Sequence, residues 1–240
     1  MQRILAWSVH IFTATGAVIA LLALRAVEEH RWTAALLWLF AALVVDGIDG
    51  TLARATRTKE LAPRIDGDVL DLVIDYLNYV FVPTIFMLEA GMLPQTLALP
   101  LAGLIQLSSL YVFARKDMKT EDGYFRGFPA LWNVVALYLY AAGIGEAAAA
   151  GIVVTFLLLT FARVHVVHPF RVRDYGPWLW LVALAWAVST VVSLLPLRDE
   201  FVQNLLWWLS LLAAALLIAL GLRRTIKRKG RDGRPPRPIS

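Results

Sequence analysis

An all-α integral membrane protein of eight transmembrane helices is the fold class that the sequence predicts, and three observations predict it. The 240 residues are 59% hydrophobic and only 17% charged, with a mean hydropathy of +0.65, a composition that belongs in lipid rather than in a water-soluble domain. Apolar runs of roughly 17 to 22 residues, the length a bilayer core demands of a helix, recur almost to the end of the chain. Basic residues gather in alternate connecting segments, as the positive-inside rule requires of a polytopic protein. Cysteine is absent, which excludes disulfides, thiolate-bound metals and thiol nucleophiles.

The first run, 4–24, is too long for the core of a secretory signal and no small-x-small cleavage site follows it, so it reads as a retained span. The second, 32–53, stays apolar for about 14 residues, Trp32 to Val45, before Asp46 interrupts it. The third, 69–90, starts among aspartates and is apolar from Tyr76 toward Met87. The runs 94–114, 128–143, 147–167, 177–196 and 203–222 complete the set, each bounded by charged breaks. Residues 1–222 are thus expected to form one polytopic membrane domain, and 223–240 a basic extension expected to be disordered against anionic headgroups.

Orientation follows from charge. With both termini cytoplasmic, the inside segments hold Arg3, then Arg54, Arg57, Lys59 and Arg64, then Arg115, Lys116, Lys119 and Arg126. They also hold Arg163, Arg171, Arg173 and the tail from Arg223 to Arg237. Only Arg25, Arg31 and Arg198 of the 23 basic residues are left outside, which strongly favours this topology.

Ionisable groups are expensive inside a membrane and mark function by default. Six aspartates fall between Asp46 and Asp75, at the cytoplasmic ends of the second and third spans. At about 100° per residue, Asp46, Asp49, Gly50, Ala53 and Arg54 share an arc of roughly 140° on one helix. Gly67, Asp68, Asp71 and Asp75 share about 100° on the next, while Asp66 points elsewhere. Two facing stripes of carboxylates repel unless a cation lies between them, and such oxygen donors suit magnesium or manganese. A site for one or two metals follows, and paired metals are a recurring solution for in-line displacement at phosphorus. Gly50 and Gly67 beside the stripes leave room for a ligand to approach the backbone, and Arg54 is placed to hold a diphosphate.

At these residues the sequence resembles the CDP-alcohol phosphotransferase family. Asp46-x-x-Asp49-Gly50-x-x-Ala53-Arg54 followed by Gly67-x-x-x-Asp71-x-x-x-Asp75 matches the family signature at each defining position. The resemblance implies a six-helix core and a homodimer, with metal bound by Asp46, Asp49, Asp71 and Asp75. It implies a CDP pocket lined by Gly50, Ala53, Arg54 and Gly67, and Asp75 as the base for the acceptor hydroxyl. Twelve residues separate Arg54 from Gly67, more than in most of the family. That gap, Gly47, the string Ala62 to Asp68 and the loop Asp122 to Pro129 are similar to the bacterial branch whose substrates are CDP-diacylglycerol and choline. That branch implies an inner-membrane enzyme working at the cytoplasmic face.

Choline's quaternary ammonium donates no hydrogen bond, so aromatic faces are its expected partners, and Tyr76, Tyr79, Tyr124 and Trp132 are the candidates. Asp68 is a candidate for tuning the metal site from outside the ligand set. His165 and His168 read as solvated boundary residues rather than ligands. Serine, glycerol phosphate and inositol phosphate are rival acceptors that the signature does not separate from choline. A cation transporter is the rival of another class; acids at one face, without repeated halves, argue against a conduction path and nucleic acid is not an expected partner.

Overall fold

A computed structural model describes residues 2–172 and 174–232. The described residues are mostly helical, and five helices are long and apolar enough to cross a membrane: Gln2–Glu28 (α1), Trp32–Ala55 (α2), Gly67–Glu89, Gln95–Ala114 (α6) and, within Glu200–Asp232 (α10), the part Glu200–Lys227. Three shorter apolar helices, Trp132–Ala141 (α7), Glu146–Phe161 (α8) and Trp178–Leu194 (α9), fall on the remaining predicted runs. The helices group into two compact units, one of Met1–Arg115 with Ala130–Leu157 and one of Lys116–Pro129 with Leu158–Ser240.

In the first unit α1 and α2 form an antiparallel pair. Their turn is held on its exposed side by Arg25 Nε donating to Glu29 at 2.8 Å and by Arg31 reaching the same carboxylate. These two cations keep the Glu29 carboxyl below its usual range. The buried face of α1 is made of small residues, Ala6, Gly16, Ala20, Ala23 and Ala26 among them, which lets backbones approach closely where lipid offers no hydrophobic drive for helix pairing. Ala20 and Ala23 pack with Leu39 and Val82. The opposite faces carry exposed large apolar side chains such as Leu21, Leu99 and Leu107, the pattern of a surface solvated by acyl chains.

The third long segment is not one regular helix. It runs as α4 (Gly67–Tyr76), a wide π-turn (Leu77–Phe81) and α5 (Val82–Glu89). Pro83 supplies the reason: it has no N–H for the Tyr79 carbonyl one turn earlier and its ring crowds that oxygen. The Val82 N–H bonds instead to the Leu77 carbonyl, so one extra residue is accommodated immediately after Asp75. Asp66 caps α4, its carboxylate accepting from the Asp68 and Val69 N–H groups. The long gap after α2 holds a single helical turn, α3 (Thr58–Leu61).

Close approach of α1 and α4 depends on Gly16, where an added Cβ would lie 2.3 Å from Ile74 Cγ2. Gly16→Ala is therefore expected to destabilise the folded protein by about 1–3 kcal/mol through overpacking. Thermal unfolding in detergent measures this, and Ile74→Ala in the same chain should recover part of the loss because the two changes share one contact.

The second unit contains short strands, an element type that the sequence reading lacks. Phe125–Arg126 (β1) and His165–Val166 (β2) pair antiparallel, so α7 begins at Trp132 rather than 128, and α8 ends at Phe161 rather than 167. Gly127, at φ 80°, lies against the Thr160 carbonyl, 2.4 Å from where a Cβ would sit, a position only glycine fills without strain. Arg224 of α10 (Glu200–Asp232) donates to Asp122 at 2.9 and 2.5 Å. Burial opposes the Asp122 charge, but hydrogen bonds from Thr120 and Arg224 outweigh it and hold the carboxyl below its usual range. His165 is a correction to the sequence reading: it is buried rather than solvated, its backbone N–H bonded to Thr225 at 2.8 Å. α10 also continues past the predicted end at 222, because its Arg and Lys residues are good helix formers and no proline intervenes before Pro235. Residues 233–240 of the basic tail, and Arg173, lie outside the described residues.

Candidate active site

Four aspartates meet where α2 and α4 approach each other beside α1. Asp46 and Asp49 stand three residues apart near the end of α2, and Asp71 and Asp75 four apart on α4, so each pair shares one helix face. All four line one cavity with Thr13, Ala42, Val45, Ile74, Asn78 and Tyr79. Carboxylate oxygens of Asp46, Asp49 and Asp71 lie within 4.8 Å of one another. Asp49 is only 5% exposed, and Thr13 of α1 lies beside it.

The donor set fits a hard divalent cation. Among the described residues neither lysine nor arginine lines the cavity, and like charges this close repel strongly where the dielectric is low. Clustered carboxylate oxygens are the ligands that magnesium, manganese and calcium favour. The Asp cluster can therefore hold a metal ion.

Tyr79 is hydrogen-bonded to the cluster. The π-turn buries this side chain to 5% exposure and its hydroxyl donates to Asp46 Oδ2 at 2.6 Å. A donor on an acidic ligand fixes that ligand's orientation. Tyr79→Phe is expected to weaken divalent-cation binding about 10- to 100-fold, measured by Mn²⁺ titration followed by electron paramagnetic resonance.

The other candidates are placed as follows. Gly50 and Arg54 are neighbours: an added Cβ on Gly50 would lie 3.4 Å from Arg54 Nη1, and the exposed guanidinium donates to Thr51 at 3.1 Å. Ala53 is half-buried one turn from Gly50. Gly67, the first residue of α4, faces His10, whose Cε1 would be 3.1 Å from an added Cβ. Asp68 is turned away from the cavity to Lys59 of α3, at 2.6 Å, and its carboxylate raises the Lys59 ammonium above its usual value. The extra length between the two halves of the signature is thus tied back onto α4.

Of the four aromatic candidates, Tyr79 alone lines the acidic cavity. Tyr76 donates to Gln106 at 2.6 Å, and Gln106 donates to Thr84 at 2.9 Å. Trp132 is fully buried in the first unit with Nε1 on Ser109. Tyr124, in the second unit, is also fully buried; its hydroxyl donates to Asp174 at 2.9 Å and Arg224 covers one face of its ring. Burial and the Asp174 bond push the Tyr124 phenol well above its usual value.

Three residues that sequence reasoning passed over belong to this neighbourhood: Thr13, Asn78 and His10. Thr13 and Asn78 line the cavity, and His10 backs Gly67. A stronger signal was available in α1, whose polar His10 and Thr13 lie three residues apart in an otherwise apolar span.

Comparison with known proteins places the chain in a family. A family model described as CDP-alcohol phosphatidyltransferase matches residues 5–186. The chain is 43% identical over 222 residues to the phosphatidylcholine synthase of Pseudomonas aeruginosa, covering 92% of each chain. It is 44% identical over 221 residues to that of Bradyrhizobium diazoefficiens, covering 91% of this chain and 80% of the relative. Against the Legionella pneumophila phosphatidylcholine synthase it is 40% identical over 176 residues, covering 72% and 68%. With a family model spanning most of its length and relatives this similar across nearly all of it, the chain belongs to the CDP-alcohol phosphatidyltransferase family.

Proposed function

We propose that the protein is a phosphatidylcholine synthase, condensing CDP-diacylglycerol with choline to give phosphatidylcholine and CMP. The observation that carries this reading is the convergence of Asp46, Asp49 and Asp71 within 4.8 Å, with Asp75 in the same cavity, in a chain 43% identical to a phosphatidylcholine synthase over 92% of its length.

In this mechanism Asp46, Asp49 and Asp71, joined by Asp75, would hold magnesium or manganese. A cation bound there would neutralise the diphosphate oxygens and so make the phosphorus more open to attack. Gly50, Ala53, Arg54 and Gly67 line the CDP pocket, the Arg54 guanidinium facing anionic oxygens. Asp75 takes the hydroxyl proton of choline as its oxygen bonds to the phosphorus bearing diacylglycerol, and the bond from that phosphorus to CMP breaks. The transfer is direct and uses no covalent enzyme intermediate. Eight spans in an inner bacterial membrane, both termini in the cytoplasm, a site at the cytoplasmic leaflet and a homodimer complete the reading; the charge distribution of the connecting segments supports its orientation.

The test is an acceptor panel. Purified protein in lipid with CDP-diacylglycerol and Mn²⁺ is given choline, serine, glycerol phosphate or inositol phosphate separately. CMP and phosphatidylcholine are expected with choline; product with serine alone would overturn the acceptor assignment.

A further inference from the structure

Asn78 is the most completely buried polar residue of the acidic cavity, at 1% exposure. Its Nδ2 donates to the Gly16 and Ile74 carbonyls, both at 3.0 Å. Two carbonyl oxygens on that side settle which amide atom faces them, and they use both amide hydrogens. Oδ1 is left buried without a hydrogen-bond partner. A buried acceptor without a donor is rare in folded proteins and calls for an explanation.

Nothing lining the cavity supplies that donor. The aspartates accept when ionised, the Tyr79 hydroxyl is given to Asp46, and Thr13 lies beside Asp49. A bound molecule entering the cavity can bring that hydrogen. Position along the helix indicates which one. Asp71 belongs to the trio of carboxylates spaced for a cation, Asp75 does not, and Asn78 follows Asp75 by three residues, its neighbour on the same face. The neutral acceptor therefore sits at the Asp75 end of the α4 stripe.

We infer that Asn78 binds the acceptor alcohol, its Oδ1 sharing with Asp75 the hydrogen of the substrate hydroxyl. This rests on the choline reading above. Choline's quaternary ammonium has no N–H, so its hydroxyl is the one hydrogen-bond donor it brings. Shared at binding between a neutral amide oxygen and a carboxylate, the hydrogen passes to the stronger base, Asp75, as the choline oxygen bonds to phosphorus and CMP departs. Asn78 itself neither gains nor loses a proton.

The experiment compares choline with ethyltrimethylammonium, which keeps the ammonium and lacks the hydroxyl, in equilibrium displacement of labelled choline from the full-length protein in detergent with Mn²⁺. Wild type is expected to prefer choline by about tenfold, the size of one hydrogen bond at a buried site. Asn78→Ala should lower this preference by about threefold, because Asp75 remains as an acceptor of the same hydrogen, as should Asn78→Ser, whose short hydroxyl bonds back to the Ile74 carbonyl and keeps the helix contact. Each affinity ratio is taken within one variant, so a general loss of stability does not move it. An unchanged ratio in a folded variant would overturn the inference. So would a tenfold loss of Mn²⁺ affinity with the ratio unchanged, which would put Oδ1 in the cation's shell instead. Failure of the wild type to bind choline or form phosphatidylcholine would overturn the functional reading and this inference with it.

Discussion

Asp75→Asn is expected to lower the rate of CMP release by about 10²–10⁴-fold, the range that a positioned general base contributes, while leaving the protein folded. The amide matches the carboxylate in size, so α4 and its π-turn keep their packing, but it cannot take the alcohol proton. Asp75 stands outside the group of three carboxylates spaced for a cation yet lines the same cavity. Cation binding should accordingly suffer less than turnover. Single-turnover measurement of CMP formation, beside a Mn²⁺ titration of the same variant, separates the two. Full turnover in Asp75→Asn would remove this residue from the role of base.

Asp49→Asn should have the opposite signature. This carboxylate is the most buried of the four that line the cavity, at 5% exposure, with Thr13 beside it. Partners one shell out from a metal are worth about 10- to 100-fold in affinity, and a direct ligand is expected to exceed that range. Loss of activity should therefore follow loss of Mn²⁺, with partial recovery as the metal concentration rises. The variant should also unfold at a higher temperature than wild type in metal-free buffer, because it removes like-charge repulsion next to Asp46. A metal-free Tm below that of wild type would contradict the view that these carboxylates repel when no cation is bound.

The charged part of the site was legible in the sequence because charge inside apolar runs is conspicuous. Asp46, Asp49, Asp71 and Asp75 stand where a bilayer helix should have none, and helical spacing alone places each pair on one face. Thr13 and Asn78 were passed over because neutral polar residues interrupt an apolar span only slightly, and their roles appear once α1 packs on α4. The π-turn had a local signal in Pro83, but a proline in a span is compatible with several distortions and does not by itself specify a widened turn. Asp66 and Asp68 were distinguishable by position: the first is the helix cap that an aspartate preceding a glycine suggests, whereas pairing of the second with Lys59 depends on a fold of the intervening segment that periodicity does not reveal. The two-residue strands β1 and β2 are too short to register as alternation. Aromatic candidates fared unevenly for a related reason, since a ring's neighbours, such as Ser109 at Trp132 and Asp174 at Tyr124, are set by tertiary packing.

Metal dependence of the wild-type reaction tests the central claim most directly. Protein stripped with a chelator, placed in lipid with CDP-diacylglycerol and choline, is expected to release no CMP until Mn²⁺ or Mg²⁺ is restored, and then to form CMP and phosphatidylcholine in equal amounts. Release of CMP at the full rate from metal-free protein would contradict the account.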